Sequence, residues 1–260
     1  DILSEKNMNE RIHIHPNYWM YRKFIEAVPK GQYEREKTFC NHRNTVEWAK
    51  WGNLDVVIKQ YKRPTWANCI IYSCLRKTKA RRAYEYAEEL LKRGFDTARP
   101  IAYIERKKWG IFHTGYFISE LIPYPLMNDI PQMNLPKEEK ELIASDFIRY
   151  TACLHEAGIM PKDYNSGNIF FYKRGKHYHF ALIDINRIHI GKTPTEKDSA
   201  LFFEQMGLSI SQAIGAIDQY ATLRGFETDR CIFFILLHKL RRRIERSFKH
   251  HVLHPLKRFA

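Results

Sequence analysis

Asp163 and Asn168 stand five residues apart in LHEAGIMPKDYNSGNIFF (Leu154–Phe171), which leaves a helix-like segment and enters an apolar, strand-like run. Asp184 lies sixteen residues beyond Asn168, directly after a second apolar run, Phe180–Ile183. Carboxylate, amide and carboxylate in that order suit transfer of a phosphoryl group. Such transfer asks little covalent chemistry of a protein and much positioning and charge neutralisation. One carboxylate orients the attacking hydroxyl and takes its proton. An amide oxygen and a second carboxylate hold magnesium against nucleotide phosphates, since hard oxygen ligands suit that ion. Asp163 reads as the base, and Asn168 and Asp184 as the metal ligands. Chance rivals this reading if the D-x4-N spacing is taken alone. The flanking apolar strands, and Leu154-His155 ahead of Gly158-Ile159, argue against chance.

A second set lies in the N-terminal half. Val56-Val57-Ile58-Lys59 places a lysine in an apolar strand; the structural alternative is an edge lysine whose stem is buried and whose head meets water. Phosphoryl transfer calls for a fixed cation on the α/β-phosphates, held by an acid from a packed helix. Glu85 occupies such a helix, in KTKARRAYEYAEELLKR (Lys77–Arg93), with Glu88 and Glu89 further along it.

These side chains need a scaffold. Asn44–Trp51 and Leu54–Tyr61 are β-branched and aromatic-rich runs joined by Gly52-Asn53, a hairpin signal. Ala80, Ala83, Tyr84, Ala87, Leu90 and Leu91 recur at helical spacing before Gly94, which predicts one helix. Pro100–Glu105 and Gly110–Leu121 read as strands. Ile122–Pro136, with four prolines, reads as a crossing without regular structure. A helix over about Lys137–Ala157, a loop with two short strands and further helix complete the chain. The expectation is an α+β protein: an antiparallel sheet plus one helix in residues 1–122, and a mainly helical half in 123–260.

VVIKQYKRP (Val56–Pro64), KTKARRAYEYAEELLKRGFDTARPIAYIE (Lys77–Glu105), the Leu154–Phe171 stretch and LIDINR (Leu182–Arg187) together resemble one family. It comprises the lipopolysaccharide-core kinases that phosphorylate 3-deoxy-manno-octulosonic acid (Kdo) or heptose, a branch of the protein-kinase-like superfamily. The likeness runs from about Asn17 to the C-terminal helix. It implies a two-lobe kinase-like fold and an ATP-dependent, magnesium-using enzyme acting on a sugar of the anionic lipid A–core, at the cytoplasmic face of the inner membrane. It also implies that Lys59 binds phosphates and pairs with Glu85, that Asp163 is the base, and that Asn168 and Asp184 hold magnesium. Ser119, Glu120 and Leu121 would offer backbone hydrogen bonds to adenine.

Three departures bear on these roles. Phe39–Asn44 reads FCNHRN where a glycine-rich phosphate lid is the pattern, so Arg43 or His42 would act there by charge. Pro161-Lys162-Asp163 stands where His-x-Asp is common; Lys162 either steadies the transferring phosphate or faces solvent. Asp184-Ile185-Asn186 replaces Asp-Phe-Gly, which keeps the metal carboxylate and removes the Phe of an on/off switch.

The net charge of +14 points to anionic partners or to a cationic surface kept for solubility. No nucleic-acid recognition motif accompanies it. Five cysteines without a CxxC pair fit a reducing cytosol and exclude zinc-type spacing. None of the twelve histidines stands in a zinc frame, and His155 reads as a structural hydrogen-bonder. Residues 1–11 lack the apolar core of a signal peptide, and no apolar run approaches the ~20 residues that span a bilayer. From His238 onward the chain carries eight Lys and Arg against Glu245 alone. Ile235, Leu236, Leu240, Ile244 and Phe248 can share a helix face, giving either an amphipathic helix for an anionic membrane or a core-packed helix with a solvated cationic side. Two other functions are compatible with the sequence: a phosphotransferase of choline or aminoglycoside type, and a non-catalytic kinase-shaped membrane module.

Overall fold

The computed structural model describes residues 8–41, 44–63, 65–74, 76–206 and 210–248. The chain forms two compact units, one from the residues up to Tyr124 together with Ala181–Ile188, the other from Pro125–Phe180 and the residues from His189 onward.

The first unit contains β1 (Met8–Ile14), α1 (Arg22–Ala27), β2 (Arg35–Asn41), β3 (Asn44–Trp51), β4 (Leu54–Tyr61), α2 (Trp66–Cys74), α3 (Lys79–Lys92), β5 (Asp96–Thr97), β6 (Pro100–Lys108) and β7 (Ile111–Glu120). Six strands form one antiparallel sheet in the order β1-β6-β7-β4-β3-β2. The expected hairpin is β3–β4, with Trp51 opposite Leu54 and Gly52 at φ +60°, a backbone that glycine adopts without a Cβ clash. One sheet face buries Ala49, Val56, Ile58, Ala102, Ile104 and Ile118 against Phe24, Ile25 and Val28.

Among the described residues of this unit stand three α-helices where the sequence predicted one. The apolar, β-branched WANCIIYSC of α2 has a strand-like composition, and α1 spans only six residues, too few for a periodic signal. Strand β1, MNERIHI, also escaped, because as a sheet edge it buries few side chains. Helix α3 begins as its sequence implies: Thr78 Oγ1 accepts from Arg81 N at 3.2 Å and donates to buried Glu105 at 2.6 Å.

The second unit holds α4 (Lys137–Glu156), β8 (Ile159–Pro161), β9 (Ile169–Arg174), β10 (His177–Leu182, its last two residues counted with the first unit), β11 (Ile188–Ile190), α5 (Glu196–Gln205), α6 (Ile210–Arg224) and α7 (Thr228–Phe248). The proline-rich stretch is not wholly irregular. Met127–Gln132 form a 3-10 turn, closed where the Asp129 carboxylate accepts from Leu126 N at 3.0 Å. The helical core joins Ile148 and Ala152 of α4 to Phe203, Ala213, Ile217, Tyr220, Cys231 and Ile235. Cys69 and Cys231 are buried and Cys40 and Cys153 exposed.

Helix α7 corrects the expected apolar face. Ile235 turns into the core, while Phe233, Leu236, Leu237, Leu240 and Ile244 are all about half exposed or more. At about 100° per residue these five form one outward stripe, roughly opposite Cys231 and Ile235. Among the described residues no helix is long and apolar enough to cross a membrane.

His155 is fully buried on α4, with its Nδ1 2.7 Å from the Tyr220 hydroxyl, which also meets Ser199 Oγ at 2.8 Å and accepts from Arg224 at 2.8 Å. Burial first, then the Arg224 charge, pushes the imidazole down to about 3. The unfolded chain therefore binds a proton at this site below about pH 6.5 that the folded protein refuses. Stability from His155 is complete above that pH and falls as pH drops toward 3, by at most ~1.4 kcal/mol per pH unit. His155→Phe should flatten the acid limb of the stability–pH profile by up to that slope between about pH 6 and 4, read by urea unfolding.

Candidate active site

In the second unit the loop after β8 presents Asp163. Gly158 precedes that strand at φ +70°, and a Cβ there would lie 2.2 Å from the Gly191 carbonyl oxygen, so only glycine fits the approach. Lys162 is exposed. Tyr164 is buried, stacks on Phe147 at 5.6 Å, shares a 2.8 Å hydrogen bond with Thr151, and donates its backbone N–H to Gln205 Oε1 at 3.0 Å. It anchors the loop directly beside Asp163.

Two amides then clamp the backbone carbonyl of Asp163: Asn168 Nδ2 at 2.9 Å and Asn165 Nδ2 at 3.2 Å. Asn165 also accepts from Gly167 N at 3.1 Å, which closes the 3-10 turn that carries Asn168. With its nitrogen committed to Asp163, Asn168 keeps its amide oxygen as the ligand atom it can offer a hard cation. The sequence reading missed Tyr164, Asn165 and Gln205. The first two lie inside the motif and were legible as a buried aromatic and a turn-forming Asn; Gln205 arrives from a distant helix.

In the first unit Lys59 and Asp184 meet. Lys59 Nζ lies 2.5 Å from Asp184 Oδ1, which also accepts from Asn186 Nδ2 at 2.6 Å. The Lys59 side chain is 16% exposed, so its charge sits in a partly desolvated site where a counter-ion matters. Strand β10 delivers Asp184: its end pairs in parallel with β5, and buried Thr97 donates to the Leu182 carbonyl at 2.6 Å. Asp184 itself adopts φ +54°, a left-handed backbone that among the described non-glycine residues it shares only with Trp109. That conformation costs roughly 1 kcal/mol, and such strain collects at functional positions. Asp184 and Asn168 are the oxygen donors whose chemistry fits magnesium. Among the described residues no cluster of three or more His, Cys, Asp or Glu is placed to hold a metal.

The expected Lys59–Glu85 pair is not formed. Glu85 accepts instead from Lys77 at 2.7 Å and Arg81 at 2.8 Å, along the outer side of α3. Burial alone would raise its pKa, but these two hydrogen bonds and charges outweigh it and hold the carboxyl below the usual range. Glu88 accepts from Tyr84, and Glu89 pairs with Arg93, so neither substitutes for it. The reason is helical phase: Arg82, not a carboxylate, rides on the buried face.

Ser119 is buried in β7 between β4 and β6. The N–H groups of Glu120 and Leu121 already donate to the Arg99 and Asp55 carbonyls at 2.9 and 3.0 Å. Adenine donors at these two amides are therefore committed within the unit, and the Glu120 carboxylate accepts from Tyr18 at 2.5 Å. Arg43 and His42, between β2 and β3, lie outside the described residues, as do the cations from Lys249 onward.

An antiparallel N-terminal sheet with a mainly helical C-terminal part defines a kinase-like phosphotransferase fold. Among solved structures the chain is similar to "WaaP in complex with acyl carrier protein", with a TM-score of 0.61 and 14% identity over 91% of this chain and 98% of that one. It is similar also to an aminoglycoside-3'-phosphotransferase of type VIII, with a TM-score of 0.55 and 11% identity over 86% of this chain and 99% of that one. At such identities these show the fold. No curated protein matches the sequence. Residues 32–222 match the model of the Lipopolysaccharide kinase (Kdo/WaaP) family, and the chain belongs to that family. It is an ATP-using sugar kinase.

Asp184→Asn should lower stability by about 1–2 kcal/mol, since it leaves the Lys59 ammonium without its charge partner. Glu85→Gln, losing only surface pairs, should cost less than about 1 kcal/mol. Equilibrium denaturation of the two variants beside the wild type ranks them; a larger loss for Glu85→Gln would reverse the pairing described here.

Proposed function

We propose that this kinase transfers the ATP γ-phosphoryl group to a hydroxyl of Kdo, or failing that of heptose, in the lipid A–core. The Lys59–Asp184 ion pair carries the reading. A strand lysine brought to an aspartate in a strained backbone is the arrangement that charge neutralisation of a nucleotide requires, and the family match adds the substrate class. Lys59 holds the phosphate oxygens by charge. Asp163, its backbone carbonyl clamped by Asn165 and Asn168, orients the acceptor hydroxyl and takes its proton. Asn168 and Asp184 would supply oxygen ligands to magnesium, whose charge would offset that of the phosphates.

The net charge of +14 favours a phosphorylated, anionic acceptor and disfavours a polycationic aminoglycoside, despite the shared fold. ADP release measured across a Kdo-bearing lipid A precursor, heptose and an aminoglycoside tests the acceptor; turnover on the aminoglycoside alone would refute it. Asp163→Ala should keep Mg-ATP binding and lose about 10²–10⁴-fold in kcat. Near-normal turnover in that variant would remove Asp163 from the chemistry.

Helix α7 supports peripheral contact with an anionic bilayer. Its outward stripe of Phe233, Leu236, Leu237, Leu240 and Ile244 is flanked on the same helix by Arg230, Lys239, Arg241 and Arg243. Apolar residues enter the headgroup boundary while each cation near the surface adds about 1 kcal/mol. Co-sedimentation with phosphatidylglycerol vesicles should fall at least about tenfold for Leu240→Asp/Ile244→Asp and weaken with added salt. Equal sedimentation of variant and wild type would exclude the stripe.

A further inference from the structure

Arg82 is a buried cation that meets no carboxylate among the described residues. It lies on the inward face of α3 with Ala83, Ala87 and Leu90, and is 8% exposed. Its Nε has no hydrogen-bond partner, and no carboxylate among the described residues bridges to the guanidinium. Burial, joined by the nearby Arg76 charge, pushes its pKa down, while the phenols of Tyr72, Tyr86 and Tyr61 oppose this. A guanidinium held unpaired in a low-dielectric site is costly, and an apolar side chain of similar length would fill the space without that cost.

Its neighbours belong to the site already described. The buried Tyr61 hydroxyl makes no completed hydrogen bond, lies beside the Asn186 side chain, and feels both the Arg82 guanidinium and the Asp184 carboxylate. Lys59 Nζ lies 5.5 Å from the centroid of the Tyr61 ring, two residues along β4. Two cations, Lys59 and Arg82, thus share the surroundings of Tyr61 with one carboxylate, Asp184, whose Oδ1 is already engaged by Lys59 and Asn186. The local charge is one anion short.

We propose that Arg82 is a phosphate ligand, donating its guanidinium N–H groups to a non-bridging oxygen of the nucleotide's phosphate chain beside Lys59. The inference rests on the nucleotide-binding reading of Lys59 and Asp184. The guanidinium fork matches phosphate oxygens two at a time, and an incoming polyphosphate supplies the missing negative charge. Where other kinases hold the strand lysine with a helix carboxylate, this chain places a second cation on the helix and the phosphate itself binds both. The penalty of an unpaired Arg82 is then a feature of the nucleotide-free protein that binding removes.

The test uses the whole protein as wild type, Arg82→Met and Arg82→Lys, titrated with Mg-ATP, tripolyphosphate and adenosine by calorimetry, with thermal unfolding of each nucleotide-free form. Arg82→Met should melt at or above the wild-type temperature, yet bind Mg-ATP and tripolyphosphate about 10- to 100-fold more weakly, the ratio for one lost charge-assisted contact. Its adenosine affinity should stay unchanged. Arg82→Lys, which keeps the charge without the fork, should fall between the two; it carries the test if the Met variant does not fold. Mg-ATP binding within twofold of wild type in either folded variant overturns the proposal. So does a lowered melting temperature with adenosine and ATP affinities falling in parallel, which would mark Arg82 as structural only. Wild-type protein that binds neither Mg-ATP nor tripolyphosphate would overturn the nucleotide reading as well. Normal nucleotide binding without Kdo turnover would overturn the acceptor assignment alone and leave Arg82 in place.

Discussion

A positive charge in an apolar sheet is costly without a counter-charge, and Lys59 brings that cost to the first unit. Its strand buries Val56, Ile58 and Tyr61 around it. The nearest solution the fold provides is Asp184, more than a hundred residues later in the chain. Bringing it there requires the β5–β10 pairing, the Thr97 hydrogen bond to Leu182 and a left-handed backbone at Asp184 itself. A stretch from the C-terminal half is thereby counted with the N-terminal unit. Each of these features is costly or unexplained alone and follows from the ion pair once it is drawn.

The loop that presents Asp163 obeys a different constraint. A loop leaves backbone carbonyls without ladder partners, and each must be satisfied or solvated. Asn165 and Asn168 satisfy the carbonyl of Asp163, so the amide assigned to magnesium also shapes the loop. Tyr164, buried between Thr151 and Phe147, removes the remaining freedom from below. Rigidity around Asp163 comes from neighbours that are themselves held by hydrogen bonds.

Charge runs through the rest of the protein. An excess of cations lies along α7 beside an exposed apolar stripe, and α3 carries a buried cation, Arg82, whose Nε has no hydrogen-bond partner among the described residues.

Local order carried much of this into the sequence. The β3–β4 hairpin, the helix over Lys79–Lys92 and the helix over Lys137–Glu156 were legible because turn chemistry and 3.6-residue periodicity act over short stretches. Edge strand β1 and the short or strand-like helices α1 and α2 were not, since burial by distant residues decides them. The partner of Lys59 shows the division most sharply. That a strand lysine needs an acid follows from residue types alone. Which acid it meets depends on the rotation of α3, which turns Arg82 inward and leaves Glu85 to Lys77 and Arg81, and on a strand arriving from the other half of the chain. Helical phase and long-range pairing are properties of packing, so only the tertiary structure could choose.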